Sequence, residues 1–207
     1  SDKGLSMLEK YADMYGLTDT SGIEIEETMP QVSTEDAVRS SIGQGNHSFS
    51  TVGLARYVTT VANSGTCYNL TLVDKITDHS GIVLEDNSAQ VRNTIDMQDA
   101  YWDAIHSGMR QLMENNSYYR ELGVSVAGKT GTAEENKRRA NHALFVCYAP
   151  CEEPEIAIAT RIAFGYSSSY AAQTTRDIIE YYFDLRDENE LITGTASQIT
   201  ASTSVTD

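Results

Sequence analysis

The sequence predicts a mixed α/β fold of the α+β type, with a mostly antiparallel sheet set between helical layers. Three observations carry this. Residues 124–129, 142–148 and 155–164 are runs of β-branched, aromatic and alternating apolar residues, which is the pattern of strands. The second and third runs are joined only by Pro150-Cys-Glu-Glu-Pro154, too short for the crossover that a parallel pair needs. Other stretches repeat apolar residues at three-to-four spacing, as helices with one buried face do.

The elements follow in order. In residues 5–15, Leu5, Leu8, Tyr11, Ala12 and Tyr15 share one helical face, and Gly16 ends the helix. Residues 18–47 are polar and turn-rich, carry Pro30, and close on Ile42-Gly43-Gln44-Gly45, whose glycines permit positive φ. A second helix is expected to begin at a Ser50 or Thr51 cap, to turn Leu54, Val58, Val61 and Ala62 inward, and to stop at Asn63-Ser64-Gly65. Residues 70–84 form a hairpin pattern around Asp78-His79-Ser80-Gly81. Asp96 is expected to cap a helix carrying Tyr101, Trp102, Ile105, Met109, Leu112 and Met113, a stripe that reads as packing. In the last strand, Ile156, Ile158, Thr160, Ile162 and Phe164 alternate with Ala157, Ala159, Arg161 and Ala163. A helix over residues 169–183 is expected to cover the small-residue face. The Ser/Thr-rich residues 191–207 read as a disordered tail outside a domain of residues 1–190.

Composition narrows the function. Fifteen Lys and Arg against thirty Asp and Glu give a formal charge of −15 over 207 residues, which repels nucleic acid and anionic lipid. Cys67, Cys147 and Cys151 are odd in number and give no disulfide framework; with His47, His79, His106 and His142 scattered, neither a metal site nor a cofactor is expected. No apolar run reaches bilayer-spanning length and no signal-peptide pattern opens the chain, so the chain as it stands is expected to be soluble.

One motif raises a choice between chemistries. "GVSVAGKT", residues 123–130, matches the phosphate-loop pattern, yet the residues between its glycines are strand-forming, Gly131 is a poor first-turn residue, and the local sheet is antiparallel. The alternative is a strand edge lining an active site. There Lys129 supplies fixed positive charge, Thr130 and Thr132 supply hydroxyls for a substrate carboxylate, and Gly131 lets a peptide-like ligand lie against the backbone.

The chain also resembles the C-terminal half of the transpeptidase domain of class B penicillin-binding proteins. The resemblance rests on "YADMYGLTDTSGIEI" (11–25), "IGQG" (42–45), "VANSG" (61–65), "AGKTGTAE" (127–134) and "HALFVCYAPCEEPEIAIA" (142–159), in that order. It departs where the family usually has Thr-Pro before the second helix and this chain has Thr51-Val52. The resemblance implies the penicillin-binding transpeptidase and serine β-lactamase-like fold, present here as a partial domain. It implies a serine enzyme that acts on D-alanyl-D-alanine stem peptides of peptidoglycan and is trapped by β-lactams. Lys129, Thr130, Gly131 and Thr132 would bind substrate, with the Thr132 N–H as an oxyanion donor, and Gly43, Gln44 and Gly45 would form a loop beside the site. The family's Ser-x-x-Lys and Ser-x-Asn motifs do not occur in this sequence. The nucleophile and its lysine are therefore expected upstream in a longer protein, anchored in the cell membrane with its catalytic domain on the outer face. That missing N-terminal part, stem peptides, β-lactams and other cell-wall synthesis proteins are the implied partners. A serine β-lactamase, a D,D-carboxypeptidase and a non-catalytic binding domain of the same fold are the alternatives.

Overall fold

The computed structural model describes residues 2–135 and 137–191; the Ser/Thr-rich tail lies outside them, apart from Leu191. Helix α1 (Asp2–Met14), a short α2 (Ala37–Ser40) and α3 (Thr51–Ala62) come first. Four short strands follow: β1 (Thr66–Asn69), β2 (Lys75–Thr77), β3 (Val83–Asp86) and β4 (Gln90–Thr94). Then come α4 (Asp99–Glu114), the strands β5 (Ala127–Ala133), β6 (His142–Ala149) and β7 (Ile156–Ile162), α5 (Ser168–Tyr182) and α6 (Glu188–Leu191). The expected class holds: β5, β6 and β7 form one antiparallel sheet in that order, between helices on both faces.

The sheet sorts its side chains by parity. Ala143, Phe145, Cys147 and Ala149 of β6 join Ala171, Ala172 and Ile179 of α5 in one core, with Tyr119, Leu122 and Met113. Tyr148 of β6 points the other way, with Ala127 of β5 and Val58 and Val61 of α3, against Ile105 and Met109 of α4. Tyr119 donates its buried hydroxyl to the Ala172 carbonyl (2.7 Å), and Thr160 and Thr175 bond through their hydroxyls (2.7 Å), so polar groups between sheet and α5 are satisfied.

Several expectations are met locally. Ser50 caps α3, its hydroxyl accepting from the Gly53 N–H at 3.0 Å. The hairpin exists as β2 paired with β3, and Asp78 holds its turn by accepting from Ser80 N, Ser80 Oγ and Ile82 N. Those bonds, the Ser80 hydroxyl foremost, hold the Asp78 carboxyl below its ordinary range.

Three readings are corrected. The site strand starts at Ala127 instead of Val124 and runs on to Ala133. Ser125 is bound instead to the β6–β7 turn, accepting from Cys151 N (2.9 Å) and donating to Glu152 Oε2 (2.6 Å). Asp96 caps nothing: Ile95 is still bonded to Gly65 O, and α4 begins at Asp99 behind Gln98, which makes no side-chain cap. The C-terminal helix covers the isoleucine face, since Ile156, Ile158 and Ile162 pack into the α5 core while Ala157 faces α3. The antiparallel pair β1–β4 went unread because "TCYN" and "QVRNT" carry no clear alternation.

Arg56 is also turned inward, fully buried among the apolar residues of α3. Its guanidinium donates to the carbonyls of Gly16, Asp19 (2.9 Å) and Ser21 (3.4 Å) and pairs with Asp19 Oδ1 at 2.6 Å. Arg92 of β4 takes the other Asp19 oxygen (2.9 Å) and reaches Asp13 (2.8 Å). Helix α1, the loop after it, α3 and β4 are thereby joined. No helix among the described residues is long and apolar enough to cross a membrane.

Two outcomes follow from this packing. A Cβ added at Gly128 would lie 2.8 Å from Phe145 Cζ and 3.0 Å from Val146 O. Gly128→Ala is therefore expected to destabilise the fold by about 1 to 3 kcal/mol, read by urea unfolding. Half-buried His106, bonded to the Tyr148 hydroxyl and Ser64 Oγ, has its pKa lowered by desolvation, against the opposing charge of Asp103. The unfolded chain thus takes up this proton more readily than the folded one. Stability should fall as pH drops below about 6.5, and the slope should diminish in His106→Gln, measured by thermal unfolding at stepped pH.

Candidate functional site

Strand β5 pairs with β6 along one side and, among the described residues, with no strand along the other. Its burial changes along its length. Ala127 and Gly128 are buried, Lys129 is exposed, and Thr130 to Ala133 are partly exposed. The Lys-Thr-Gly-Thr segment therefore lies where the edge emerges from the core, in mid-strand, and the phosphate-loop geometry of a helix beginning at the lysine is absent. The pairs Lys129↔Val146, Thr130↔Phe145, Gly131↔Leu144 and Thr132↔Ala143 fix the register.

Register decides which groups are presented. Lys129 and Gly131 share the α3-side parity with Ala127, whereas Thr130 and Thr132 share the α5-side parity with Gly128. In an antiparallel strand the N–H and C=O of one residue point to the same side. Side-chain donors reach the carbonyls of Thr130, from Lys129 Nζ at 2.8 Å, and of Thr132, from Gln44 Nε2 at 3.3 Å. These bonds mark Thr130 and Thr132 as the residues whose backbone groups face away from β6. No carboxylate among the described residues lies within salt-bridge distance of Lys129, although carboxylates outnumber cations two to one in the chain.

Gln44 joins the two sequence-predicted segments. Gly43, Gln44 and Gly45 lie along an open groove of about 1540 Å³ that runs from α1 past the start of α3 to the end of β5. On the sheet side its walls are Ala133, Glu134, Glu135, His142, Leu144 and Arg161. On β5 the lining of this groove begins at Ala133, just beyond the Lys129–Thr132 segment. Among the described residues no grouping of three His, Cys, Asp or Glu could hold a metal ion.

His142 is one of the four scattered histidines of the sequence. It is buried, lies opposite Ala133 in the ladder, and ties three segments together. Its Nδ1 accepts the Phe164 N–H (3.1 Å), so Nε2 carries the proton and donates to Glu135 Oε2 (3.0 Å), while the ring stacks on Phe164 at 4.8 Å. Arg139 lies 5.3 Å over the other ring of that pair, Phe164. Phe164 and Tyr166 both adopt positive φ, 55° and 66°, a conformation that neither residue type announces.

The family model for the penicillin-binding protein transpeptidase domain matches residues 2–180. Among curated proteins, the chain is similar to the peptidoglycan D,D-transpeptidase MrdA of Haemophilus influenzae, 26% identical over 220 residues, covering 88% of this chain and 33% of that protein. Among solved structures, penicillin-binding protein 2B of Streptococcus pneumoniae superposes with a TM-score of 0.78 at 25% identity, over 91% of this chain and 34% of that one. Penicillin-binding protein A of Mycobacterium tuberculosis, as its imipenem acyl-enzyme, superposes with a TM-score of 0.73 at 22% identity, over 83% of this chain and 40% of that one. The chain spans about a sixth to a third of the length of the curated relatives it matches. With the ordered motifs, the antiparallel edge strand and a family match across most of its length, this chain belongs to the penicillin-binding protein transpeptidase family.

Proposed function

We propose that this chain supplies the substrate-binding strand of a serine D,D-transpeptidase that cross-links peptidoglycan. The observation that carries the reading is the outer side of β5, along which no strand pairs among the described residues. It offers outward backbone groups at Thr130 and Thr132 beside a lysine with no carboxylate partner among the described residues. An extended peptide ending in a carboxylate can lie along such an edge as an added strand, with its carboxylate on Lys129 and the threonine hydroxyls. The glycine at 131 keeps the α3-side face of the strand low there.

The chemistry needs a serine from outside this chain. Its oxygen would attack the carbonyl between the two terminal D-alanines, forming an acyl-enzyme and releasing D-alanine. An amine of a neighbouring strand would then take the acyl group and free the serine. The Thr132 N–H would stabilise the negative oxygen that forms in each attack. A β-lactam carries a comparable carboxylate and amide and would stop at the acyl stage, which the acyl-enzyme of a fold relative supports. The same reading places the catalytic domain on the outer face of the cell membrane, with stem peptides, β-lactams and cell-wall synthesis proteins as partners.

Lys129→Ala in the full-length protein should slow acylation by penicillin about ten- to a hundredfold, the loss of one charge-assisted bond of roughly 1.5 to 3 kcal/mol. Folding should be unaffected, because Lys129 is exposed. Stopped-flow acylation with a thermal-melt control checks this, and an unchanged rate removes Lys129 from the site. The 207-residue chain by itself should form no covalent adduct, since it contains no Ser-x-x-Lys. Intact mass after incubation with a fluorescent penicillin reads this directly; a stoichiometric adduct would show that one of its own serines is the nucleophile.

A further inference from the structure

The loop that carries Gln44 is braced more heavily than a surface turn needs. Gln31 and Ser48 close its base as an antiparallel bridge, through N–H···O bonds of 2.7 and 2.9 Å. Inside it, the buried hydroxyls of Ser33 and Ser40 bond each other at 2.7 Å, Ser33 Oγ bonds Asn46 Oδ1 at 2.7 Å, and His47 Nδ1 accepts the Ser33 N–H at 3.0 Å. Gly43 N and Gln44 N donate to the carbonyls of Ser40 (3.1 Å) and Arg39 (3.0 Å). Gly45 follows at φ 111°, where a Cβ would lie 2.7 Å from Ser40 Oγ and 2.9 Å from Ser33 Oγ. The backbone on both sides of Gln44 is thus held by satisfied polar groups, and its amide is aimed across 88 residues of sequence at the Thr132 carbonyl.

That carbonyl belongs to the next-to-last paired residue of β5. Beyond Thr132 the ladder has one pair left, Ala133↔His142, and among the described residues no strand runs along the outer side of β5. An unpaired strand end opens locally at low cost, and opening here would turn the Thr132 peptide away from the direction it must keep.

We infer that Gln44 is a positioning residue: its amide N–H, fixed by the Ser33–Ser40–Asn46 brace, pins the outward-facing backbone of Thr132 so that the adjoining N–H stays aimed at the developing oxyanion. The inference rests on the proposed transpeptidase reading. It assigns Gln44 no contact with substrate. Its effect belongs on the acylation step and not on the noncovalent complex, which Lys129 and Thr130 would form with or without it.

Gln44→Glu keeps the side chain's size and removes the donor; Gln44→Ala removes both. In the full-length protein, both variants should raise hydrogen–deuterium exchange across residues 130–133 while the melting temperature stays near wild type. With penicillin, the acylation constant within the complex should fall about ten- to a hundredfold, with the dissociation constant of that complex unchanged. Exchange unchanged in both variants overturns the inference, as does raised exchange with an unaltered acylation constant or a loss confined to the dissociation constant. If the wild-type protein forms no penicillin adduct, the transpeptidase reading falls, and the exchange measurement alone decides whether Gln44 pins the strand.

Discussion

Everything in this structure depends on β6, a strand paired on both edges and covered on both faces. Its residues feed two separate cores in strict alternation, Phe145 and Cys147 toward α5, Tyr148 toward α3. A strand in that position can neither slide nor tilt without pulling bulky groups out of one core and pushing them into the other. Strand β5 inherits that rigidity through a seven-pair ladder. Its outer edge is held at one side by the best-packed element of the molecule, and its exposure costs no order.

The second constraint is electrostatic. Arg56 carries a full charge into a region with almost no access to water, which is tolerable only because three carbonyls and the Asp19 carboxylate converge on it. A hydrophobic side chain could fill that volume, but it would not dictate the path of the 16–21 backbone. The arginine does, because the carbonyls must face it. Arg92 repeats the device from β4, so the turn after α1 is fixed from two sides. This gives the "YGLTDTSG" segment a physical reason for its glycine at 16: a Cβ there would lie 2.6 Å from Arg56 Nε.

Much of this was legible in the sequence where the cause is local. The Ser50 cap, the Asp78 turn and the alternation along β7 each declare themselves within a few residues, and so does the antiparallel connection at Pro150–Pro154. The strand edge proposed to take the substrate was legible as a strand, because Lys129-Thr130-Gly131-Thr132 is a compact motif within one. What was not legible depends on separation or competition. Both helices could have taken the alanine face of β7; α3 does so, and α5 is left the isoleucines. Arg56 reads as a polar interruption of a helix face until the loop that satisfies it is in place. The bond from Gln44 to Thr132 crosses too much sequence for any local pattern to announce it.

The parity of β5 has a consequence for how the chain can vary in length. Between Leu122, anchored in the α5 core, and Lys129 run only six residues, and Ser125 among them is already tied to the β6–β7 turn. Losing or gaining one residue there would leave every letter of the motif intact. It would still exchange the faces, sending lysine where threonine now stands and turning the outward N–H groups toward β6. Deletion is therefore a harsher change at this point than substitution. What matters along these residues is a count, and a chain that kept the motif but miscounted the approach would fold with its Lys-Thr-Gly-Thr edge pointing the wrong way.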